Sequence, residues 1–152
     1  MKNVVVIGAG KIGATIADLL GATGDYRVVI ADRSNEQLAA IRTSSTISTR
    51  RVDITDEAEL AEVLNGAFAV LSAAPYDLTT RIAEAAAAQG VHYLDLTEDV
   101  ASTRRVKELA LTAKAALIPQ CGLAPGFISI VAADLARDFD QLDSLKLRVG
   151  AL

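Results

Sequence analysis

Three glycines within six residues, Gly8-Ala9-Gly10-Lys11-Ile12-Gly13, and an aspartate nineteen positions further on, Asp32, have types and spacing that could do chemistry. Gly8 permits a tight turn. Gly10 has no Cβ, so a pyrophosphate can approach the backbone. Gly13 lets a following helix lie close on the preceding strand. The free N–H groups at the helix start and the positive end of its dipole, beginning at Lys11 and Ile12, then face the phosphates. An acid about 20 residues on accepts hydrogen bonds from ribose hydroxyls. The pattern is that of a dinucleotide site. Asp32 repels a 2′-phosphate, which favours NAD, while Arg33 beside it could pair with one, so NADP remains open.

These roles require a strand, a turn, a helix and a second strand ending in the acid. Asn3-Val4-Val5-Val6-Ile7 reads as the first strand, apolar and β-branched. Ile12, Ile16, Leu19 and Leu20 recur as one face of the helix. Tyr26 to Ala31 reads as the second strand, closed by Asp32.

The same alternation continues. Ser34 and Gln37 resemble a capping box, with Leu38 and Ile41 inward. The Ser/Thr-rich stretch from Thr43 to Thr49 reads as a loop, and Arg51 to Ile54 as a third strand. Thr55 or Asp56 caps a helix carrying Leu60, Val63 and Leu64. Ala67 to Ser72 reads as a buried fourth strand, stopped at Ala73-Ala74-Pro75. Helices are expected from about Leu78 to Gln89 and from Thr103 to about Ala115, with strands at Val91–Leu96 and Ala116–Pro119. Ile128, Val131, Ala132, Leu135 and Phe139 mark a last helix, and Leu145–Val149 alternates as a half-exposed strand would. Strands alternating with helices imply an α/β, doubly wound parallel sheet, the Rossmann architecture, with ligands beyond the carboxyl ends of the strands. The candidates at those ends are Gly8 to Gly13, Asp32, Arg33, Asp53 with Ile54 toward an adenine edge, and Ala73, Ala74 and Pro75 beside the cofactor backbone. Asp53 reads equally well as a turn or cap residue.

Composition narrows the classes. With 152 residues, one domain is expected, and 51% hydrophobic content supports a core. Aromatics are 4%, so aliphatic side chains must fill it. The net charge of −4 and the lack of a basic stripe argue against nucleic acid. One cysteine, Cys121, excludes an intrachain disulfide and suits a reducing cytoplasm. No segment reads as membrane-spanning, and no metal site is expected.

Three stretches carry a family likeness: Val6 to Gly13, His92-Tyr93-Leu94-Asp95-Leu96-Thr97, and Cys121-Gly122-Leu123-Ala124-Pro125-Gly126. On these the chain resembles the N-terminal domain of saccharopine dehydrogenase-like oxidoreductases. That group includes saccharopine reductases, lysine 6-dehydrogenases and carboxynorspermidine dehydrogenases. The resemblance implies NAD(P)-dependent hydride transfer at an amino-acid C–N bond, in lysine metabolism, and a homodimer at full length. It also implies a second, largely β domain that holds the amino-acid substrate. Residues 1–152 then form the cofactor domain, inactive alone, with strand 145–149 leading into the second domain. Ala124 stands where saccharopine reductases and carboxynorspermidine dehydrogenases tend to carry Asp, which brings the chain closer to lysine 6-dehydrogenases.

The chemistry-bearing residues outside the glycine turn read as structural. His92 begins a buried strand at the wrong end for catalysis. Asp95 and Thr97 lie nearer the right end. Cys121 follows the sixth strand but has nothing to lower its pKa. Arg104, Arg105 and Lys107 share a helix whose apolar face is taken by Val106 and Leu109, which turns them to water. No acid or base is assigned. The competing class is an NAD-sensing regulatory domain of a potassium-transport protein, which shares the glycine turn and the acid. Tyr93 to Asp95 and Gly122 to Gly126 argue against it. Short-chain reductases need Tyr-x-x-x-Lys, and no tyrosine here is followed by lysine at that spacing.

Overall fold

The computed structural model describes residues 1–150. Six strands lie parallel in the order β3-β2-β1-β4-β5-β6. They are β1 (Lys2–Ile7), β2 (Tyr26–Asp32), β3 (Ile47–Arg51), β4 (Ala69–Ser72), β5 (His92–Asp95) and β6 (Leu117–Ile118). The helices between and after them are α1 (Lys11–Ala22), α2 (Asn35–Ala39), α3 (Glu57–Leu64), α4 (Tyr76–Gln89), α5 (Val100–Ala110) and α6 (Phe127–Ala136). This is the doubly wound order, and it puts the switch point between β1 and β4.

The centre of the sheet is built as its sequence dictates. Val4, Val5, Val6 and Ile7 are all buried, because β1 pairs with β2 on one side and β4 on the other while helices cover both faces. One core layer gathers Val5, Val70, Leu60, Leu64, Ile82 and Tyr93. The opposite layer gathers Val6, Ala17, Ile30 and Leu38. Side-chain oxygens of Ser34, Asp56 and Asp99 accept N–H groups at the starts of α2, α3 and α5. Gly90 ends α4 with φ +68°.

Several expectations need correction. The third strand is Ile47–Arg51, which starts inside the stretch read as a loop and ends at Arg51, where the strand was expected to begin. Its register is fixed by pairing of Val28 with Ile47 through Asp32 with Arg51. Val52 and Ile54 lie past the strand and pack into the core beneath α3. On α1 the close face is Gly13 and Ala17, with Ile16 and Leu20 half-buried, while Ile12 and Leu19 point to solvent. Small residues win that face because the helix sits so near β1. Helix α5 begins at Val100, capped by Asp99, rather than at Thr103, and ends at Ala110. Helix α4 begins at Tyr76, two residues before the expected start.

Helix α6 stops at Ala136, short of Phe139, and leaves Leu135 and Phe139 exposed. Residues 145–149 form no strand. A strand needs a partner for its N–H and C=O groups, and among the described residues none lies beside this stretch.

Candidate functional site

The glycine turn joins β1 to α1, and each glycine is explained by something different. Gly8 has φ +108°, which disfavours any side chain, and a Cβ there would lie 2.7 Å from the Ala73 carbonyl oxygen. A Cβ on Gly13 would overlap the Gly8 carbonyl oxygen. These two are fixed by the protein's own backbone. Gly10 is not. Its φ is −71°, and a Cβ would meet only Gln37 Oε1, at 3.9 Å. Nothing within the chain requires glycine at position 10.

The start of α1 shows the same thing. Gly10 gives no side-chain cap, and Ala14 is the first residue whose N–H reaches a carbonyl, that of Gly10 at 2.9 Å. Lys11, Ile12 and Gly13 therefore supply the orphan donors of a helix N-terminus, which suit a phosphate. Asp32 braces the turn from the end of β2. Its Oδ2 accepts from Ala9 N–H and its Oδ1 from Ser34 N–H, each at 2.8 Å. A carboxylate oxygen has a second lone pair, so Asp32 can still accept from ribose hydroxyls. Asp32 also takes over half of the expected capping box: Ser34 Oγ accepts Gln37 N–H at 3.2 Å, but Ser34 N–H goes to Asp32. The Gln37 side chain lines the cleft instead.

That cleft, of about 400 Å3, runs over the carboxyl ends of β1, β2 and β4. The structure brings Gly8, Gly10, Asp32, Arg33, Asp53, Ile54, Ala73, Ala74 and Pro75 into its wall. Lys11, Ile12 and Gly13 do not line it. The Lys11 and Ile12 side chains point outward and Gly13 is buried under the turn, so only their backbone can serve the site. Ser34, Gln37, Val52, Thr55 and Leu78 line it too, unforeseen from sequence. Leu78 arrives because α4 starts early, and Val52 because β3 ends early.

Asp53 has a structural task as well. Its Oδ1 accepts the N–H and hydroxyl of Thr55, at 2.9 and 2.7 Å. Those two bonds, the hydroxyl first, hold its carboxyl below the usual range. Its own N–H donates to Glu59 Oε2 at 2.7 Å.

At the end of β5 the buried Asp95 carboxylate accepts Tyr93 O–H at 2.9 Å, Gln120 N–H at 3.0 Å and Thr97 N–H at 3.1 Å. Burial first, and the Asp95 charge second, push the Tyr93 phenol far above its ordinary value. Asp95 thus ties β5 to the turn after β6. His92 is structural: its Nδ1 accepts Ala116 N–H at 3.0 Å, and its ring stacks edge-on with Phe68. Burial, and secondarily Asp95, raise the Cys121 thiol. Thiolate is the reactive form, so Cys121 should alkylate with iodoacetamide at pH 7.5 more slowly than free cysteine. A faster rate would contradict this environment.

The clash at Gly13 gives a stability prediction. Gly13→Ala must lift α1 off the Gly8 carbonyl, and overpacking of this kind costs about 1–3 kcal/mol. Urea melts should show the loss; an unchanged midpoint would mean that the helix does not lie as close as described.

Residues 4–118 match the saccharopine dehydrogenase NADP binding domain. The chain is 25% identical over 125 residues to saccharopine dehydrogenase (NADP(+), L-glutamate-forming) of Saccharomyces cerevisiae, covering 82% of this chain and 28% of that protein. Its structure is similar to that of apo saccharopine dehydrogenase (L-Glu forming) from Saccharomyces cerevisiae, with TM-score 0.79, 23% identity, and coverage of 91% of this chain and 31% of that one. It also shares its fold with WbmH of Bordetella bronchiseptica, solved in complex with NAD+, at TM-score 0.52 and 24% identity, covering 62% of this chain and 38% of that one. The chain thus spans less than a third of the length of the saccharopine dehydrogenase it matches. The doubly wound sheet, the glycine turn with its unfilled space at Gly10, and the match over residues 4–118 agree, and the chain belongs to the saccharopine dehydrogenase NADP-binding domain family as an NAD(P)-binding Rossmann domain.

Proposed function

We propose that this domain holds a nicotinamide dinucleotide, NAD in preference to NADP, for hydride transfer at the C–N bond of a small amino acid. When bound, the nicotinamide supplies hydride acceptor and donor chemistry. The chain's own part is binding and orientation. Backbone N–H groups of Lys11, Ile12 and Gly13 receive the pyrophosphate, and Asp32 receives the ribose hydroxyls. Ile54, Ala73, Ala74 and Pro75 give the cofactor apolar walls. The observation that carries the reading is the space at Gly10, which the protein itself does not use.

The preference for NAD rests on Asp32. Its carboxylate is fixed by two amides and cannot swing away without losing both. A 2′-phosphate would meet like charge there. Arg33 is exposed and enters no ion pair among the described residues, so it offers only a solvent-screened counterweight. The amino-acid substrate is proposed to be held by a further domain following residues 145–149, and the full-length protein is proposed to pair as a homodimer. Calorimetric titration tests the cofactor choice. The wild-type chain is expected to bind NAD at least tenfold more tightly than NADP. Asp32→Ser should narrow that ratio toward one, because Arg33 remains while the repelling charge is gone. A wild-type chain that prefers NADP would overturn the assignment.

A further inference from the structure

Helix α2 carries one side chain in the cofactor cleft that neither the core nor the helix uses. Gln37 stands at the third helical position after the N-cap Ser34. Its backbone is fixed on both sides. Its N–H donates to Ser34 Oγ at 3.2 Å, and its carbonyl accepts Ala40 N–H at 3.2 Å. The next residue, Leu38, is buried in the core layer of Val6 and Ile30. The main chain at Gln37 is therefore held while its side chain is free to act.

A glutamine at this position ordinarily folds back on the N–H of the N-cap residue. Here that donor is taken, because Ser34 N–H goes to Asp32 Oδ1 at 2.8 Å. Among the described residues no hydrogen bond holds the Gln37 side-chain amide. It lines the cleft over the carboxyl ends of β1, β2 and β4 instead. It also reaches across to the glycine turn. Gln37 Oε1 lies 3.9 Å from the place a Cβ on Gly10 would occupy, and apart from the chain neighbours of Gly10 no other atom comes within 4 Å of that point. The oxygen and nitrogen of an amide exchange by a half-turn of the group, so either end can face it.

We propose that Gln37 is a further binding residue of the dinucleotide site, its amide N–H groups donating to the pyrophosphate from the α2 side. The role depends on the pyrophosphate lying over Gly10, the placement already proposed. The backbone N–H groups of α1 then serve one side of the phosphates and Gln37 the other. A pyrophosphate oxygen accepts only, so the NH2 end of the amide turns toward it. The ribose hydroxyls are left to Asp32. Gln37 lies outside the glycine fingerprint, on a different helix, and its lack of charge keeps the phosphates free of repulsion from the α2 side.

The test is calorimetric titration of the wild-type chain and of Gln37→Leu, Gln37→Glu and Gln37→Lys with NAD and with ADP. Adenosine is titrated in parallel, followed by amide shifts of the 15N-labelled chains. Gln37→Leu keeps the bulk and loses the donors, and should weaken NAD and ADP roughly tenfold, the size of one hydrogen bond to a charged group. Gln37→Glu keeps the shape and sets a charge against the phosphates. Its loss should be larger, roughly a hundredfold, and should shrink as salt is raised. Gln37→Lys restores a donor and should bind at least as tightly as the wild type. Adenosine, which has no phosphate, should bind all four chains alike. Unfolding does not produce this order. The side chain is exposed, and a glutamate in the first turn favours a helix, so the weakest binder should keep or raise its urea midpoint. Unchanged NAD affinity in Gln37→Leu and Gln37→Glu, an equal loss for adenosine, or a Gln37→Lys chain no tighter than Gln37→Leu would overturn the proposal. Each of these leaves the cofactor site itself standing, since that fails only if the wild-type chain does not bind NAD or Gly10→Val binds it equally well.

Discussion

Gly10→Val is expected to abolish dinucleotide binding while leaving the fold intact. The two halves of that statement have separate grounds. The backbone at Gly10 has φ −71°, which valine adopts freely, and a Cβ meets no atom closer than Gln37 Oε1 at 3.9 Å. Stability should fall by no more than about 1 kcal/mol, the ordinary cost of a poor residue at a helix N-cap. Binding should fall much further. The branched side chain occupies the space through which a pyrophosphate reaches the N–H groups of Lys11, Ile12 and Gly13. A hydrogen bond to a charged group contributes about 1.5–3 kcal/mol. Loss of two such bonds weakens binding by roughly a hundredfold to ten-thousandfold. Calorimetry and a urea melt on the same variant check both halves. The contrast with Gly13→Ala is the informative part, since that change should damage the fold through the Gly8 carbonyl. If Gly10→Val bound NAD like the wild type, no phosphate could lie on this turn.

The purified 152-residue chain is expected to bind NAD without reducing it, whether lysine or saccharopine is offered. Among the titratable residues lining the cleft over β1, β2 and β4, Arg33 is the one cation, and it stands next to Asp32. The cations Arg104 and Lys107 line a different cleft, with no residue in common. A substrate would therefore have no fixed geometry over the nicotinamide. Orientation accounts for about 7–11 kcal/mol of barrier lowering in well-placed reactions. Losing it removes about five to eight powers of ten in rate. Absorbance at 340 nm should stay flat over hours. Steady NADH formation by the chain alone would mean that the substrate site lies within residues 1–152.

The parts of this molecule that backbone geometry dictates were legible in the sequence. Gly8 and Gly13 are required by contacts to the backbone of the chain itself, and Asp32 closes a strand whose apolar run is unmistakable. The order of strands and helices followed from the same periodicities. Features decided by tertiary neighbours were not legible. Ile47 to Thr49 is polar enough to read as a loop, yet it opens β3 because β2 offers it a free edge. Val52 and Ile54 have the side chains of a strand, but the core beneath α3 takes them instead. Ile12 has the right spacing for a buried face and is exposed, because the turn brings α1 down on Gly13 and Ala17. Gln37 reached the cleft only because Asp32 took the bond that a capping box would have used. Arg104, Lys107 and Gln120 come together across thirteen or more positions of sequence, which no local pattern records.

The most direct test of the central claim is a crystal structure of the 152-residue chain grown with NAD. The account predicts pyrophosphate density above Gly10, within hydrogen-bond distance of the N–H groups opening α1. It also predicts the adenosine ribose hydroxyls on the Asp32 carboxylate, with the Ala9 and Ser34 bonds to that carboxylate retained. Dinucleotide density elsewhere on the molecule, or a ribose turned away from Asp32, would contradict it.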